Sequence, residues 1–458
     1  MTAVVAILNK TGMALAADSA ATITNGNTET SKVFNTANKV FNLSKYHPIA
    51  IMVYSNSEFL STPWELIIKL YRNELDKTSF GTVKEYWENF NKFLLKNPLF
   101  KFCEKEDDFL ERISNHLTLE LLNQLREELL SENDYQTLIN LNNLESFNSL
   151  DTSEKQIVIS KITAILSAKI SEHCKVIDNN FKKLDSLASI DKTMYKQQNK
   201  AIIYKAFSET TNEIAQLINQ ENLIDGLIDS FENLVINFLQ SDNFFFGSTG
   251  LVFAGYGNNE IYPSLYAVEI DGVVHKLTRF RVNSDVQITD ENSQELVPFA
   301  QTDVMNTFIT GFNNDIQNVI KSSLLKALNV TLDTYNKVIQ DLSKNNIDVA
   351  ALSFMKHKVT EDIVTTLDND IKSIIYNSQI FPTLQALKFL SKEDLAELAE
   401  SLIYLTFLKR RTTSSLESVG GAIDVAIITK GDGFIWKKRK HYFDKELNQQ
   451  FFHNYYGC

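Results

Sequence analysis

The chain has 458 residues, of which 44% are hydrophobic, and a formal net charge of −12 at pH 7. This acidity does not fit the basic surface that binds nucleic acid, and no apolar run reaches the roughly 18 residues of a membrane span, so we expect neither partner. The three cysteines cannot form a disulfide framework and have no zinc-ligand spacing with histidine, which predicts a reduced, cytoplasmic chain without a metal.

The start of the chain has the pattern of two β-hairpins. Residues 2–9 and 13–17 are apolar runs separated by a polar turn, and Asp18 ends the second run. A second pair of strand-like runs follows at 38–43 and 48–54. Two hairpins would hold the first residues of the chain in a fixed relation to the polar side chains at the strand ends.

Thr2 follows the initiator methionine. Without Met1, this threonine has a hydroxyl nucleophile and a free α-amine, of pKa ~7.7–8, that can accept the hydroxyl proton. An N-terminal threonine is one of the known ways to activate a hydroxyl group. With Met1 attached, the nitrogen of Thr2 is an amide and cannot act as a base. Because no propeptide precedes the threonine, we expect ordinary methionine removal and a mature chain that starts at Thr2.

Two long stretches of the sequence are helical in pattern. Leucine, isoleucine and phenylalanine recur at helical spacing over 76–244 and again over 319–387, almost without proline or glycine. We interpret both stretches as all-helical insertions into one fold. Leucine stripes at this spacing usually form a core, and the alternative is that they build a lid or an assembly surface. Three other stretches, 56–74, 303–320 and 392–411, should supply the helices that cover the sheets.

Strand signals return at 251–272 and again at 418–436. The basic run Lys437–Lys440 follows a Gly-Asp-Gly turn at the end of the second segment. Charged side chains on an edge strand prevent unwanted pairing with other chains. We therefore predict that this run belongs to a solvated or edge strand and not to a nucleic-acid site.

Three blocks of the sequence resemble one known family. The N-terminal threonine strand with GMALAADSAAT, then NKVFNL and IAIMVYSNSE, resembles the start of proteasome β subunits and their bacterial relatives. These are threonine peptidases of the N-terminal nucleophile (Ntn) hydrolase superfamily. The block LVFAGYGNNEIYPSLYAVEIDG (251–272) resembles the central strand pair of that family, and SVGGAIDVAIITKGDGFIW (418–436) resembles its final helix-to-strand junction and hairpin. The blocks occur in family order and cover roughly half of the chain.

The resemblance implies an α+β fold: a four-layer αββα sandwich of two antiparallel sheets covered by helices. The Ntn core would be divided among 2–75, 245–318 and 388–458, with the two all-helical insertions at 76–244 and 319–387. The family also implies a homo-oligomer, and leaves open an ATPase or other regulatory partner.

The resemblance also implies a catalytic group. In this family it consists of a threonine, an aspartate at the end of the second strand and a lysine on the third strand, which correspond here to Thr2, Asp18 and Lys39. Lys32 competes with Lys39 because it also precedes Val-Phe, but Lys39 has the Lys-Val-apolar-x-Leu context. A lysine beside the hydroxyl would favour the alkoxide-like nucleophile by Coulomb attraction, and Asp18 would hold that lysine in place.

Two further pairs of residues complete the expected site. Backbone N–H groups near Tyr54 and Ser55, at the predicted strand-to-helix junction, are candidates for the oxyanion hole. The family usually has glycine at this junction. Glu417 and Ser418, which precede a glycine pair, are candidates for orienting the threonine amine.

The resulting expectation is hydrolysis of a peptide or protein substrate through an acyl-enzyme ester on Thr2, without metal or organic cofactor. Two alternatives stay open. One is a non-peptidase amidase or acylase of the same superfamily, which would use the same chemistry in a different pocket. The other is a catalytically silent, structural proteasome-like subunit.

Overall fold

The computed structural model describes residues 3–24, 31–131, 149–210, 221–244, 247–342, 349–413, 419–441, 443–444, 446–450 and 453. Within these ranges the chain is a mixed α+β structure that combines antiparallel sheets with helices. Three of the predicted site residues lie outside the described residues, namely Thr2, Glu417 and Ser418.

The elements of the described residues follow in chain order. The strands are β1 (Val4–Asn9), β2 (Gly12–Ala17), β3 (Ala21–Thr24), β4 (Ser31–Phe34), β5 (Val40–Asn42), β6 (Ile49–Ser55), β7 (Glu58–Phe59), β8 (Thr62–Pro63), β9 (Thr249–Gly255), β10 (Ser264–Val274), β11 (Leu277–Gln287), β12 (Gln294–Phe299), β13 (Asp424–Thr429) and β14 (Gly433–Lys438). The α-helices are α1 (Trp64–Leu75), α2 (Val83–Lys96), α3 (Glu106–Ser131), α4 (Thr152–Asn180), α5 (Lys192–Thr210), α6 (Glu221–Gln240), α7 (Thr302–Thr310), α8 (Asn314–Leu342), α9 (Val349–Ile375), α10 (Phe381–Leu387) and α11 (Lys392–Thr412).

Two five-stranded sheets dominate the fold. The first sheet has the strand order β12-β1-β2-β13-β14, and the second sheet has the order β11-β10-β9-β6-β5. The predicted strand pairs are confirmed: β1 pairs with β2, β5 with β6, β9 with β10 and β13 with β14, all antiparallel. The β14 strand lies at the edge of the first sheet, as the basic run predicted. The β3–β4 hairpin was not predicted.

The two sheets pack face to face. Val4 and Leu8 of the first sheet share a buried cluster with Met52, Val252 and Ala254 of the second sheet. Every residue of β1 and of β2 is buried, because both faces of these strands are covered. This explains why both segments are continuous apolar runs without polar alternation.

Helices cover the outer face of each sheet. Val5 and Ile7 of the first sheet pack against Met305 of α7, Leu387 of α10 and Leu395 of α11. The predicted flanking helix at 392–411 is thus confirmed, with bounds Lys392–Thr412.

On the second sheet, Ile51 and Phe253 pack against Trp64 of α1 and against Trp87 and Phe90 of α2. The α2 helix therefore belongs with the sheets, although the predicted insertion at 76–244 includes it. Its aromatic side chains recur at helical spacing, as they would in an insertion, and only the tertiary contact distinguishes the two placements.

The helices α3 to α6 form a separate buried cluster, with members that include Phe109, Ile162, Phe207 and Phe231. This cluster contacts the end of the β10–β11 hairpin through Val274. The helices α8 and α9 contact each other, and they expose many of their apolar side chains to solvent. No helix in the described ranges is long and apolar enough to cross a membrane.

Candidate active site

Asp18 lies at the end of β2, and its carboxylate is buried, with 1% of the residue exposed. One oxygen, Oδ1, accepts hydrogen bonds from the Ala3 backbone N–H at 3.0 Å and from Lys39 Nζ at 2.6 Å. The other, Oδ2, accepts from the backbone N–H groups of Ala20 and Gly420, each at 3.1 Å. A buried carboxylate is costly unless it is paired and hydrogen-bonded, and these four donors meet that requirement.

Lys39 lies directly before β5 and is also buried, with 6% of the residue exposed. Besides Asp18, its Nζ donates to the Ala20 carbonyl at 2.5 Å. Its own carbonyl accepts from the Val53 N–H at 2.8 Å, which joins this position to β6. Burial lowers the pKa of Lys39 below the ordinary lysine value, and the charge of Asp18 opposes that shift.

Lys32, the competing lysine, lies on β4 opposite Ile23 of β3. Its side chain is outside the described part of the structure. Lys39 is the lysine that the described structure places on Asp18. The β3–β4 hairpin fills the segment between Asp18 and Lys39, which is longer than in the resembled family. As a result, Lys39 precedes the fifth of the described strands and not the third.

The closing block of the sequence reaches the same site. The Ser19 N–H donates to the Gly420 carbonyl at 3.0 Å, and the Ser19 hydroxyl donates to the Ala422 carbonyl. Gly421 has φ +77°, and a Cβ there would lie 2.8 Å from Cβ of Asn35, so the position requires glycine. Together with the bond from the Gly420 N–H to Asp18, these contacts attach the residues before β13 to those that follow β2.

Tyr54 and Ser55 are not at a helix N-terminus, contrary to the prediction. The β6 strand ends at Ser55, and the short β7–β8 hairpin separates it from α1, which begins at Trp64. The dipole of α1 therefore does not stabilise a negative charge at these two N–H groups, because the effect of a helix dipole falls off within the first turn.

The strand ladder distinguishes the two N–H groups. The Val53 N–H points to Lys39, and alternation along an antiparallel strand places the Ser55 N–H on the same edge. By the same alternation, the Tyr54 N–H points the other way, to Gly250 of β9. Ser55 has φ +68°, the left-handed region that glycine adopts most easily, at the position where the family usually has glycine. Of the two candidates, Ser55 is therefore the one whose N–H lies on the edge of β6 that faces Lys39.

A second ion pair, which the sequence pattern did not reveal, lies beside Lys39. Asp424, the first residue of β13, is buried opposite Ala17 and pairs with Lys440. Asp424 raises the pKa of Lys39 and Lys440 lowers it, so both charges act on the Lys39 ammonium group. The only sequence signal was an aspartate at the start of an apolar strand.

A cavity of about 240 Å³ opens next to this pair of ion pairs. Edge strand β5, edge strand β14 with the residues that follow it, and α1 enclose the cavity. Asn38 and Val40, the neighbours of Lys39 in the chain, line it, and so do Asp424 and Lys440. The cavity is therefore adjacent to the Asp18–Lys39 pair.

Cys103 and Cys174 are half-buried beside the apolar clusters of the second sheet and of α3–α6, and burial raises the pKa of both thiols. A raised pKa reduces the thiolate fraction that a nucleophile needs. Among the described side chains, no group of three or more His, Cys, Asp or Glu residues is arranged to hold a metal ion.

No protein-family model matches the sequence, and no curated protein matches it. A functional assignment therefore rests on the residues described above and on the sequence blocks that contribute them.

Proposed function

We propose that this protein is a proteasome β-like Ntn hydrolase, a threonine peptidase whose nucleophile is Thr2. One observation carries the proposal. The buried carboxylate that holds Lys39 also binds the backbone N–H of Ala3, the residue bonded to Thr2. A threonine bonded to Ala3 is therefore one peptide unit away from a buried acid and from a lysine whose pKa is lowered by burial. Groups of these two types can activate a hydroxyl nucleophile.

The architecture supports the same assignment. Two stacked antiparallel sheets, with α7, α10 and α11 on one outer face and α1 and α2 on the other, fit a four-layer αββα sandwich. The helices α3–α6 and the pair α8–α9 would be the insertions into that sandwich.

In the proposed reaction, Oγ of Thr2 attacks the carbonyl carbon of the scissile amide while its proton passes to the α-amine of Thr2. Lys39 stabilises the developing negative charge on Oγ, and Asp18 keeps the lysine in position. The Ser55 N–H donates to the oxyanion of the tetrahedral intermediate. Collapse of the intermediate breaks the C–N bond, and the amine product leaves with the proton held by the α-amine. Water then hydrolyses the ester on Thr2, with the same α-amine as base.

We further propose that the enzyme is a homo-oligomer that acts on peptides or proteins. The α8 helix exposes Ile316, Val319 and Val330, which are 56%, 63% and 66% exposed. Exposed apolar side chains grouped on one element favour association. A solution mass equal to one 52.2 kDa chain in light scattering would contradict this assembly.

The test of the function is covalent labelling of Thr2. A β-lactone or epoxyketone probe should add its mass to Thr2 of a chain that starts at Thr2, and Thr2→Ala should abolish both labelling and turnover with little change in thermal stability. The matched control is a chain with Met1 blocked from removal. It has the same hydroxyl but no free amine, so we expect it to be inactive.

The outcomes separate the alternatives. Labelling of Thr2 without cleavage of any peptide library member would favour an amidase or acylase. Absence of labelling on the exposed Thr2 would favour the silent structural subunit. Labelling at Cys103 or Cys174 would show a different nucleophile, and equal activity of the two N-terminal forms would refute the amine as base.

A further inference from the structure

The helices α8 and α9 form an antiparallel hairpin whose inner seam is only partly buried. Lys321 of α8 lies 3.0 Å from the carboxylate of Asp368 of α9, far from the connection between the helices, so the two helices run side by side. Apolar residues on the same side of each helix as this ion pair form the seam, and all are half-buried: Leu324, Leu325, Leu328 and Leu332 on α8, and Val364, Leu367, Ile371 and Ile375 on α9. A seam that is covered on every side is fully buried, so another element can still cover this one.

A second apolar stripe runs along each helix and is exposed. Its members are Ile316, Val319, Ile320, Val330, Tyr335 and Val338 on α8, and Val359, Ile363 and Ile374 on α9. With 3.6 residues per turn, this stripe lies roughly 90–120° around each helix from the seam. The rotation from the seam has the same sense on both helices. Because the helices are antiparallel, both exposed stripes therefore lie on one face of the hairpin, which we call the α8–α9 face.

A second copy of the same face suits this geometry. In a two-fold contact the same surface lies on both sides, so each copy would cover the exposed stripes and the open seam of the other. Two stacked helical hairpins form a four-helix bundle, in which each helix has two neighbours at about a right angle. The angle between the seam and the exposed stripe is close to the one that such a helix requires.

The extent and the charge of the α8–α9 face also suit a second copy. Helices of 29 and 27 residues are about 40 Å long and about 10 Å wide, so the hairpin offers roughly 800 Å², which is the area that each partner contributes to a standard stable interface. Residues 314–375 contain seven lysines and eight carboxylates, a net charge of −1 in a chain whose net charge is −12. Two copies can therefore meet here with little of the repulsion that the acidic chain produces elsewhere.

We propose that the α8–α9 face binds the α8–α9 face of a second copy in a two-fold contact, so that the assembly contains an even number of chains joined in pairs by four-helix bundles. This inference rests on the proposed function only for the homo-oligomer, whose contact surface it names, and it does not involve the chemistry of Thr2. A ring built from head-to-tail contacts alone would not place this face against itself.

The first test adds charge to the face and follows the solution mass by light scattering over a concentration series. Val319 and Val330 are 63% and 66% exposed, so Val319→Lys/Val330→Lys should leave the single chain folded, which circular dichroism checks. Across a two-fold contact the new lysines lie near those of the second copy, and the dissociation constant of the pair should rise at least about 100-fold. The variant should then contain half as many chains as the wild type.

The matched control is Asn318→Lys/Asn329→Lys. Asn318 and Asn329 are exposed, and each precedes a substituted valine by one residue, which places it about 100° around α8 and away from the face. This variant gains the same charge on the same helix and should keep the mass of the wild type.

Mixing two variants tests whether the face meets itself. Val319→Glu/Val330→Glu should also fail to pair, because like charges again approach each other. A mixture of the glutamate and lysine variants should recover the mass of the wild type, since opposite charges then meet across the contact. In a head-to-tail contact the face would meet a different surface, and mixing would recover nothing.

Three outcomes would overturn the two-fold contact: a wild type with the mass of one 52.2 kDa chain at every concentration, which would leave the face to a different partner, an equal effect of the valine and asparagine variants, or no recovery in the mixture. If Thr2 is labelled by the β-lactone probe while one of these occurs, the proposed peptidase stands and the contact falls. If the variants pair as expected but Thr2 is never labelled, the contact stands and the threonine chemistry falls.

Discussion

At the scale of single residues, Asp18 connects the parts of the candidate site. Three of its four donors are backbone N–H groups, from Ala3, Ala20 and Gly420, and these depend only on the fold. The fourth donor is the Lys39 ammonium group. The carboxylate therefore keeps most of its hydrogen bonds when Lys39 is replaced, which makes Lys39 a position where charge can be removed without loss of the surrounding structure.

We predict that Lys39→Ala lowers the turnover rate by on the order of 10²–10⁴, the usual effect of a positioned electrostatic or proton-transfer group. The loss of one partner of a buried pair should also cost about 3 kcal/mol of stability, at the low end of the usual range, because the backbone donors remain. Steady-state kinetics on the folded variant, with thermal unfolding as the check of folding, measures both effects.

Lys32→Ala is the control for this prediction, and it should be nearly neutral. A larger effect of Lys32→Ala than of Lys39→Ala would show that the catalytic lysine has been assigned to the wrong strand.

At the scale of elements, the β6–β9 pair is held by a close contact between Tyr54 and Gly250. These residues face each other in the ladder, and a Cβ on Gly250 would lie 1.9 Å from the ring of Tyr54. The Tyr54 hydroxyl donates to Glu269 at 3.1 Å and accepts from Asn283 at 2.8 Å, so the ring cannot easily move away. The same strand continues to Ser55, and its geometry therefore bears on the candidate oxyanion donor.

We predict that Gly250→Ala destabilises the protein by about 1–3 kcal/mol, the usual cost of overpacking, and lowers activity by displacing the end of β6. Gly226→Ala offers a matched control. Gly226 is exposed on α6, and a Cβ there meets no atom within 4 Å. Alanine should stabilise that helix by about 0.5–1 kcal/mol. Unfolding in denaturant measures both changes, and equal effects of the two substitutions would refute the role of the Tyr54 contact.

The β10–β11 hairpin is attached to the end of α6 by the fully buried Arg279. Its guanidinium donates to the carbonyls of Leu239, Ser241 and Asn243, and it pairs with the buried Asp271. Burial raises the pKa of Asp271 from 3.8 to about 6, while Arg279 acts in the opposite direction. The folded state therefore favours the neutral carboxyl group more than the unfolded chain does.

This shift predicts a pH-dependent effect of Asp271→Asn. Between about pH 4 and 6 the folded protein binds a proton at Asp271 that the unfolded chain has released. The stability from this group is thus complete below pH 3.8 and is lost as the pH rises through about 6. Asparagine stays neutral throughout. The free energy of unfolding of the variant minus that of the wild type should therefore increase from pH 4 to pH 7, by an amount on the order of 2 kcal/mol. Unfolding in denaturant at each pH measures this difference. A difference that stays constant over this range would contradict the raised pKa.

At the scale of the whole molecule, burial is distributed unevenly. The stacked sheets and their covering helices contain most of the fully buried side chains, and α3–α6 enclose a cluster of their own. The described side chains of α8 and α9 are exposed or half-buried. Elements with few buried apolar contacts open at low free-energy cost.

We expect native-state hydrogen exchange to follow this distribution. Backbone amides of β1, β2 and β9 should exchange slowest, because their strands are central and buried. In a dissociated chain, amides of α8 and α9 should exchange fastest among the described α-helices, whereas assembly through these helices in the proposed homo-oligomer should slow their exchange. Exchange in α8 and α9 that stays equally fast at high and low protein concentration would contradict assembly through this pair.

The local features of this protein were predictable from sequence. Hairpins such as β1–β2 and β13–β14 depend on apolar runs and turn residues that are close in the chain, and the edge strand β14 was indicated by its basic residues. Only the tertiary structure decided the contacts between distant segments. The Gly420–Asp18 bond spans 402 residues, and no local pattern encodes it. The same holds for the Asp424–Lys440 pair beside Lys39, the packing of α2 on the second sheet, and the hairpin that separates Ser55 from α1. The spacing of apolar residues indicates which face of a helix or strand is apolar. Which other element covers that face depends on how the whole chain packs.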